Sequence, residues 1–120
     1  METTCRYDIK GFSNDLGLSL EDIFELYCEF IKELNLEISK LGKLLITENW
    51  DEIKKSLHNI KGVSVNYRIT DIYEETVKIY NNLNSQKYDE IYACIENLTA
   101  VSNVAIEEIS KYFAQKGLFI

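Results

Sequence analysis

The chain has 120 residues, 13 Lys and Arg against 20 Asp and Glu, a formal net charge of −7, one histidine and no proline. That is the length of one domain, enough to bury a core without disulfides or metals, and 46% apolar with 28% charged residues excludes wholesale disorder. The acidic balance excludes a protein built to grip phosphate backbones, so no nucleic-acid partner is expected; nor is a membrane span or signal peptide, because no long apolar run and no basic-then-apolar start exist.

Residues 1–18 are weakly periodic and either add a short helix or cap one end of a helical bundle. From Leu20 the apolar residues Ile23, Phe24, Tyr27, Phe30, Ile31, Leu34, Ile38, Leu41 and Leu45 recur at helical spacing, predicting a long amphipathic helix. Ser19 ahead of Glu21 and Asp22 is its N-cap, and Gly42 is expected to loosen its last turn. Asn49 with Glu52 three residues on resembles a capping box and predicts a second helix from Trp50, with Ile53, Leu57, Ile60, Val63 and Tyr67 as its apolar positions. A third helix is predicted over Thr70–Leu83, with Ile72, Tyr73, Val77, Tyr80 and Leu83 on its apolar side, followed by a turn at Asn84 and Ser85. A fourth runs from Tyr88 to Ala114, its apolar side including Tyr88, Ile91, Tyr92, Ile95, Leu98, Ile109 and Phe113, with Gly117 as its stop. No segment alternates at period two, and the absence of proline suits long helices. The expected fold is all-α, an up-down antiparallel four-helix bundle over residues 19–116 with a short N-terminal capping segment (1–18) and a tail at 117–120.

Cys5, Cys28 and Cys94 are odd in number and widely spaced, with no C-x-x-C pair. They read as reduced thiols of a cytoplasmic protein, Cys28 and Cys94 packed in helices. One histidine completes neither a zinc site nor, without a partner set, a hydrolytic one. Any imidazole chemistry therefore rests on His58.

On a helical wheel at about 100° per residue, Ile53, Ile60, Val63 and Tyr67 fall within about 40° of the antipode of His58. His58 therefore faces solvent. Its neighbours three and four positions away are Lys54, Lys55, Lys61 and Gly62, three cations and one absent side chain. Arg68 lies further along, and Val65 falls almost on the His58 face. An acidic chain thus gathers a local basic patch around its one imidazole. A neutral imidazole nitrogen is a nucleophile toward an activated phosphoryl group, and ammonium groups beside it stabilise the charge on the transferred oxygens. Glycine within a helix costs about 1 kcal/mol relative to alanine. Gly62 therefore either clears an approach to His58 or admits a neighbouring helix. Ser56 and Ser64 lie toward the core and read as small packing residues, and Trp50 reads as a core anchor at the bundle's end. A lysine-flanked histidine on a solvated helix face is also the ordinary composition of a surface helix.

The run Leu57-His58-Asn59-Ile60-Lys61-Gly62-Val63-Ser64-Val65-Asn66 resembles the signature of histidine-containing phosphotransfer (HPt) domains. His58 matches the phospho-accepting histidine, Ile60 the aliphatic position and Lys61-Gly62 the Lys-Gly pair, with Ser64 and Asn66 at its small and polar positions. Asn49-Trp50 resembles the Asp-Trp that often opens the same helix. The resemblance spans about residues 18–115. Two positions depart from the family: Arg68 stands where members often carry glycine, and Val63 where they usually carry a small residue.

The resemblance implies a phosphoryl carrier without ATP-dependent kinase activity of its own. His58 would exchange a phosphoryl group with the aspartate of a response-regulator receiver domain, free or part of a hybrid histidine kinase. Lys61 would steady the phosphoryl group, helped by Lys54 or Lys55, and Gly62 would clear the approach. Lys54, Lys55, Val65 and Arg68 would line the partner-binding surface. No cofactor of its own is expected, Mg²⁺ belonging to the receiver, and a monomer is expected because such a bundle closes its own core. Two other readings stand beside this one. In the first the bundle is a non-catalytic docking module for a receiver or another signalling partner. In the second it is the phosphotransfer segment of a chemotaxis-type kinase, which further domains downstream would mark. A histidine-kinase dimerisation domain is disfavoured, because His58 is followed by Asn59 and no proline exists.

Overall fold

The computed structural model describes residues 5–120; the first four residues of the 1–18 segment lie outside the described residues. Five helices follow one another: α1 (Ile9–Leu16), α2 (Leu20–Ile46), α3 (Trp50–Asn66), α4 (Thr70–Asn84) and α5 (Tyr88–Ala114). No strand occurs among the described residues. The chain is an all-helical bundle, and none of these helices is long and apolar enough to cross a membrane.

Local chemistry sets the boundaries. Ser19 Oγ accepts from the Asp22 N–H at 3.1 Å, and Asn49 Oδ1 accepts from the Glu52 N–H at 3.3 Å, each cap contributing about 1 kcal/mol. Two acids follow each cap, Glu21 and Asp22 in α2 and Asp51 and Glu52 in α3, where the helix dipole favours them. Beyond α5, Gly117 adopts φ 82°, which lets the Leu118 N–H turn back to the Phe113 carbonyl at 2.9 Å. Gly42, expected to loosen α2, does not interrupt it: the helix continues to Ile46.

The apolar stripes of α2, α3 and α5 meet largely as the periodicity predicts, whereas α4 buries Ile72, Thr76, Ile79 and Leu83 and leaves the expected Tyr73, Val77 and Tyr80 half-buried. α2 packs on α3 and α5, α3 on α4, and α4 on α5. Tyr27, Phe30 and Leu34 of α2, Ile53, Leu57 and Ile60 of α3, and Leu98, Ile109 and Phe113 of α5 are all fully buried. Tyr88 and Tyr92, expected on the apolar side of α5, lie instead at the surface. Tyr88 stacks on Trp50 at 4.7 Å between ring centroids and Tyr92 meets it edge-on at 6.4 Å. Phenol rings can shield the indole while their hydroxyls stay in water.

Within the described part of the 1–18 segment, α1 is a short helix packed against the bundle. Ile9 and Tyr7 are buried, and Phe12 lies against Tyr27 and Tyr67 at 6.1 and 5.8 Å. The Tyr7 hydroxyl donates to Asp71 at 2.8 Å, and Arg6 pairs with Asp71 and Glu108. Burial pushes the phenols of Tyr7, Tyr27 and Tyr67 above the usual tyrosine value, and for Tyr7 the bond to Asp71 adds to it. A phenol with a raised folded pKa contributes stability that is complete below its unfolded value of about 10 and is lost as the pH climbs above it. Ultraviolet titration should therefore find these three ionising above the usual tyrosine range, together with loss of helical circular dichroism. Simultaneous ionisation of all tyrosines in a still-folded chain would contradict the packing of α1.

The turn between α3 and α4 contains an unusual residue. Arg68 sits at φ 61°, the left-handed conformation that favours glycine and costs other residues about 1–2 kcal/mol. Its N–H bonds the Val65 carbonyl, and the next N–H, of Ile69, bonds the Ser64 carbonyl at 2.8 Å, closing α3 as a C-terminal glycine would. The guanidinium offsets part of that cost by pairing with Asp15 at 2.6 Å and lying over the Phe12 ring at 5.1 Å. Arg68→Ala keeps the strained backbone and loses both contacts, whereas Arg68→Gly loses the contacts and relieves the backbone. Denaturant titration should place the glycine variant about 1 kcal/mol above the alanine variant; equal stabilities would remove the strain.

Candidate functional site

The face of α3 opposite its core carries the site. With Ile53, Leu57 and Ile60 fully buried, a period of 3.6 leaves His58, Lys61 and Gly62 exposed and Val65 54% exposed. Val63 is half-buried, so its bulk is taken up by packing and not displayed beside the histidine. Ser64 is buried with its hydroxyl donating to the Ile60 carbonyl at 2.6 Å. It is a packing residue, as its wheel position suggests.

A Cβ added at Gly62 would meet nothing within 4 Å. No neighbouring helix therefore requires the glycine, and of the two explanations for it the packing one is removed. The face beside His58 is open.

His58 lines a shallow hollow of about 440 Å³ with Lys54, Lys55, Asn59 and Tyr80. The three lysines differ. Lys55 pairs with Glu52 at 3.0 Å, so part of its charge is answered within its own helix. Lys54 is half-buried in the wall of the hollow and Lys61 is exposed, and neither makes an ion pair among the described residues. Their ammonium groups remain available to an incoming anion.

Val65 and Arg68 belong to a separate hollow of about 390 Å³ at the α3–α4 turn, lined also by Ile69 and Tyr73. Arg68 lies beyond the end of α3, and the helix from His58 to Asn66 alone spans about 12 Å. Its guanidinium is engaged by Asp15 and Phe12, so the structure groups it with α1 and not with the histidine.

Three residues of the site carry no motif. Tyr80, expected on the apolar side of α4, forms a wall of the His58 hollow. Asn59 lines that hollow too. Behind it stands Glu37 of α2, only 6% exposed. Its carboxylate accepts from Ser56 Oγ at 2.6 Å, from Lys40 Nζ at 3.2 Å and from Asn59 Nδ2 at 3.4 Å. One signal for it exists in the sequence: position 37 continues the core row of Phe30, Leu34 and Leu41, so a glutamate there has to be buried. Charged residues are rarely buried without partners, and Ser56 and Asn59 supply them from the facing helix.

Among the described residues no group of three or more His, Cys, Asp or Glu side chains is arranged to hold a metal ion. The arrangement offers an exposed imidazole, two cations free to meet an anion, and an unobstructed helix face. No family model, curated protein or solved structure matches the chain.

Proposed function

We propose that this protein is a phosphorelay carrier of the histidine-containing phosphotransfer type, an up-down antiparallel four-helix bundle in α2–α5 capped by α1. The observation that carries the reading is the outward placement of His58 beside Lys54, Lys61 and Gly62, on a face left open among the described residues. The lone pair of one imidazole nitrogen attacks the phosphorus of an aspartyl phosphate on a receiver domain. The N–P bond forms as the P–O bond to the aspartate breaks, the carboxylate leaves with the electron pair, and the other ring nitrogen keeps its proton. The reverse step returns the group to a receiver. Lys61 and Lys54 stabilise the equatorial oxygens in passage, and the receiver contributes its own Mg²⁺. A basic patch on an acidic chain suits an acidic receiver site and speeds encounter.

The test is incubation with phosphorylated receiver domains. Label should move to the wild-type chain and fail to move to His58→Gln. A His58→Gln chain that still binds the receiver and retains its cellular role would instead establish a docking module that takes no phosphate.

A further inference from the structure

Glu37 is the one buried carboxylate among the described residues, and the phosphoryl step above makes no use of it. Burying a carboxylate is costly even when it is fully bonded, and an apolar side chain of similar volume is often as stable or more so. The row Phe30, Leu34, Leu41 shows that α2 places apolar residues at this depth elsewhere. The donors that satisfy Glu37 from α3 are Ser56 and Asn59, which lie two residues before and one residue after His58, on the turn that carries it. All three groups reaching the carboxylate are donors, so it serves purely as an acceptor. Asn59 gives its Nδ2 to Glu37 and also lines the His58 hollow, and its Oδ1 accepts no hydrogen bond among the described residues.

We infer that Glu37 is a positioning residue: it ties the His58 turn of α3 to α2 and orients Asn59, so that Asn59 Oδ1 meets an N–H or O–H donor of the docking receiver domain. The inference rests on the phosphorelay reading and specifies one polar contact of that site. It adds a directional element to a surface otherwise made of flexible lysines. An amide oxygen held from behind accepts along a defined line, whereas an ammonium on a long stem attracts from many directions. It also accounts for a polar network one layer beneath a helix face that needs no such support to fold.

The experiment compares wild type, Glu37→Leu, Glu37→Gln, Asn59→Ala and the Glu37→Leu/Asn59→Ala double variant. Each is assayed for melting temperature, for labelling of His58 by phosphoramidate (a small donor that needs no docking), and for transfer from a phosphorylated receiver. His58 is the sole histidine, so every phosphohistidine signal reports it. Glu37→Leu leaves the buried Ser56 hydroxyl only the Glu37 main-chain carbonyl at 3.4 Å, so it should melt a few degrees lower than wild type but stay folded, and take label from phosphoramidate at an unchanged rate. Its transfer from the receiver should be about tenfold slower, the loss of one well-directed hydrogen bond. Asn59→Ala should show the same slowing, the double variant should be no slower than either single one, and Glu37→Gln, which keeps an acceptor oxygen, should recover most of the rate. Receiver transfer at the wild-type rate in a folded Glu37→Leu chain would overturn the inference. So would multiplicative slowing in the double variant, or loss of phosphoramidate labelling along with transfer. Wild type that takes label from no receiver would withdraw the phosphorelay reading, and this inference with it.

Discussion

Reversing the charge of Lys54 and Lys61 together, as Lys54→Glu/Lys61→Glu, should slow transfer from a phosphorylated receiver by about a hundredfold and leave the melting temperature within a few degrees of wild type. Neither lysine makes an ion pair among the described residues, and both lie on the His58 side of α3, so reversing them breaks no internal ion pair. At a few ångströms a unit charge pair is worth about 1 kcal/mol in bulk water and about 4 kcal/mol near a protein surface. Two attractions become two repulsions toward a doubly charged phosphoryl group held in an acidic site. Lys55→Glu should have a much smaller effect, because Lys55 already shares its charge with Glu52 at 3.0 Å, although the substitution sets two glutamates one turn apart. Added salt should slow the wild-type reaction and speed that of the doubly reversed variant, since screening weakens the attraction in the one and the repulsion in the other. Stopped-flow or quench measurements of label transfer at two ionic strengths check both points.

Phe113→Ala should lower the unfolding free energy by about 3–5 kcal/mol, a large part of the roughly 5–15 kcal/mol typical of a domain. Phe113 is fully buried near the end of α5. Its ring meets Phe24 edge-on at 5.1 Å and Tyr27 at 5.8 Å, so the truncation opens a cavity at the end of the bundle that α1 closes. Tyr27 is held there by more than contact: its hydroxyl donates to the Tyr67 carbonyl at 3.2 Å, which limits how far the aromatic cluster can collapse into the gap. Phe113→Leu, which retains most of the volume, should cost about 1.5 kcal/mol or less. Denaturant titration with an unchanged slope separates lost stability from altered compactness. A loss below about 1 kcal/mol for the alanine variant would mean that this end of the bundle is loosely packed.

The helices of this chain can be read from its residues because their signals are local. Ser19 and Asn49 cap within one turn, Trp50, Thr70 and Tyr88 begin helices where expected, and apolar spacing alone places His58 on the outer face of α3. The site is partly readable for the same reason: Lys54, Lys55 and Lys61 neighbour His58 within a single helix, so a wheel brings them together. What escapes depends on the other helices. Tyr80 reaches the His58 hollow from α4, and Glu37 reaches Ser56 and Asn59 from α2; one-helix geometry is silent on both. Proximity in sequence misplaces Arg68. It sets the residue near the basic patch, yet the chain turns there, and Asp15 and Phe12 of α1 claim its side chain. Tyr88 and Tyr92 meet the helical period but not the core, because an amphipathic ring at the rim can satisfy the period by covering Trp50.

The most direct measurement is to locate the phosphoryl group. Wild-type protein mixed with a phosphorylated receiver domain should yield a chain whose phosphate is acid-labile and alkali-stable, gives a phosphoramidate resonance by ³¹P NMR, and maps by mass spectrometry to the peptide containing His58. The same mixture with His58→Gln should yield none. Phosphate found on another residue, or persisting in His58→Gln, would contradict the account.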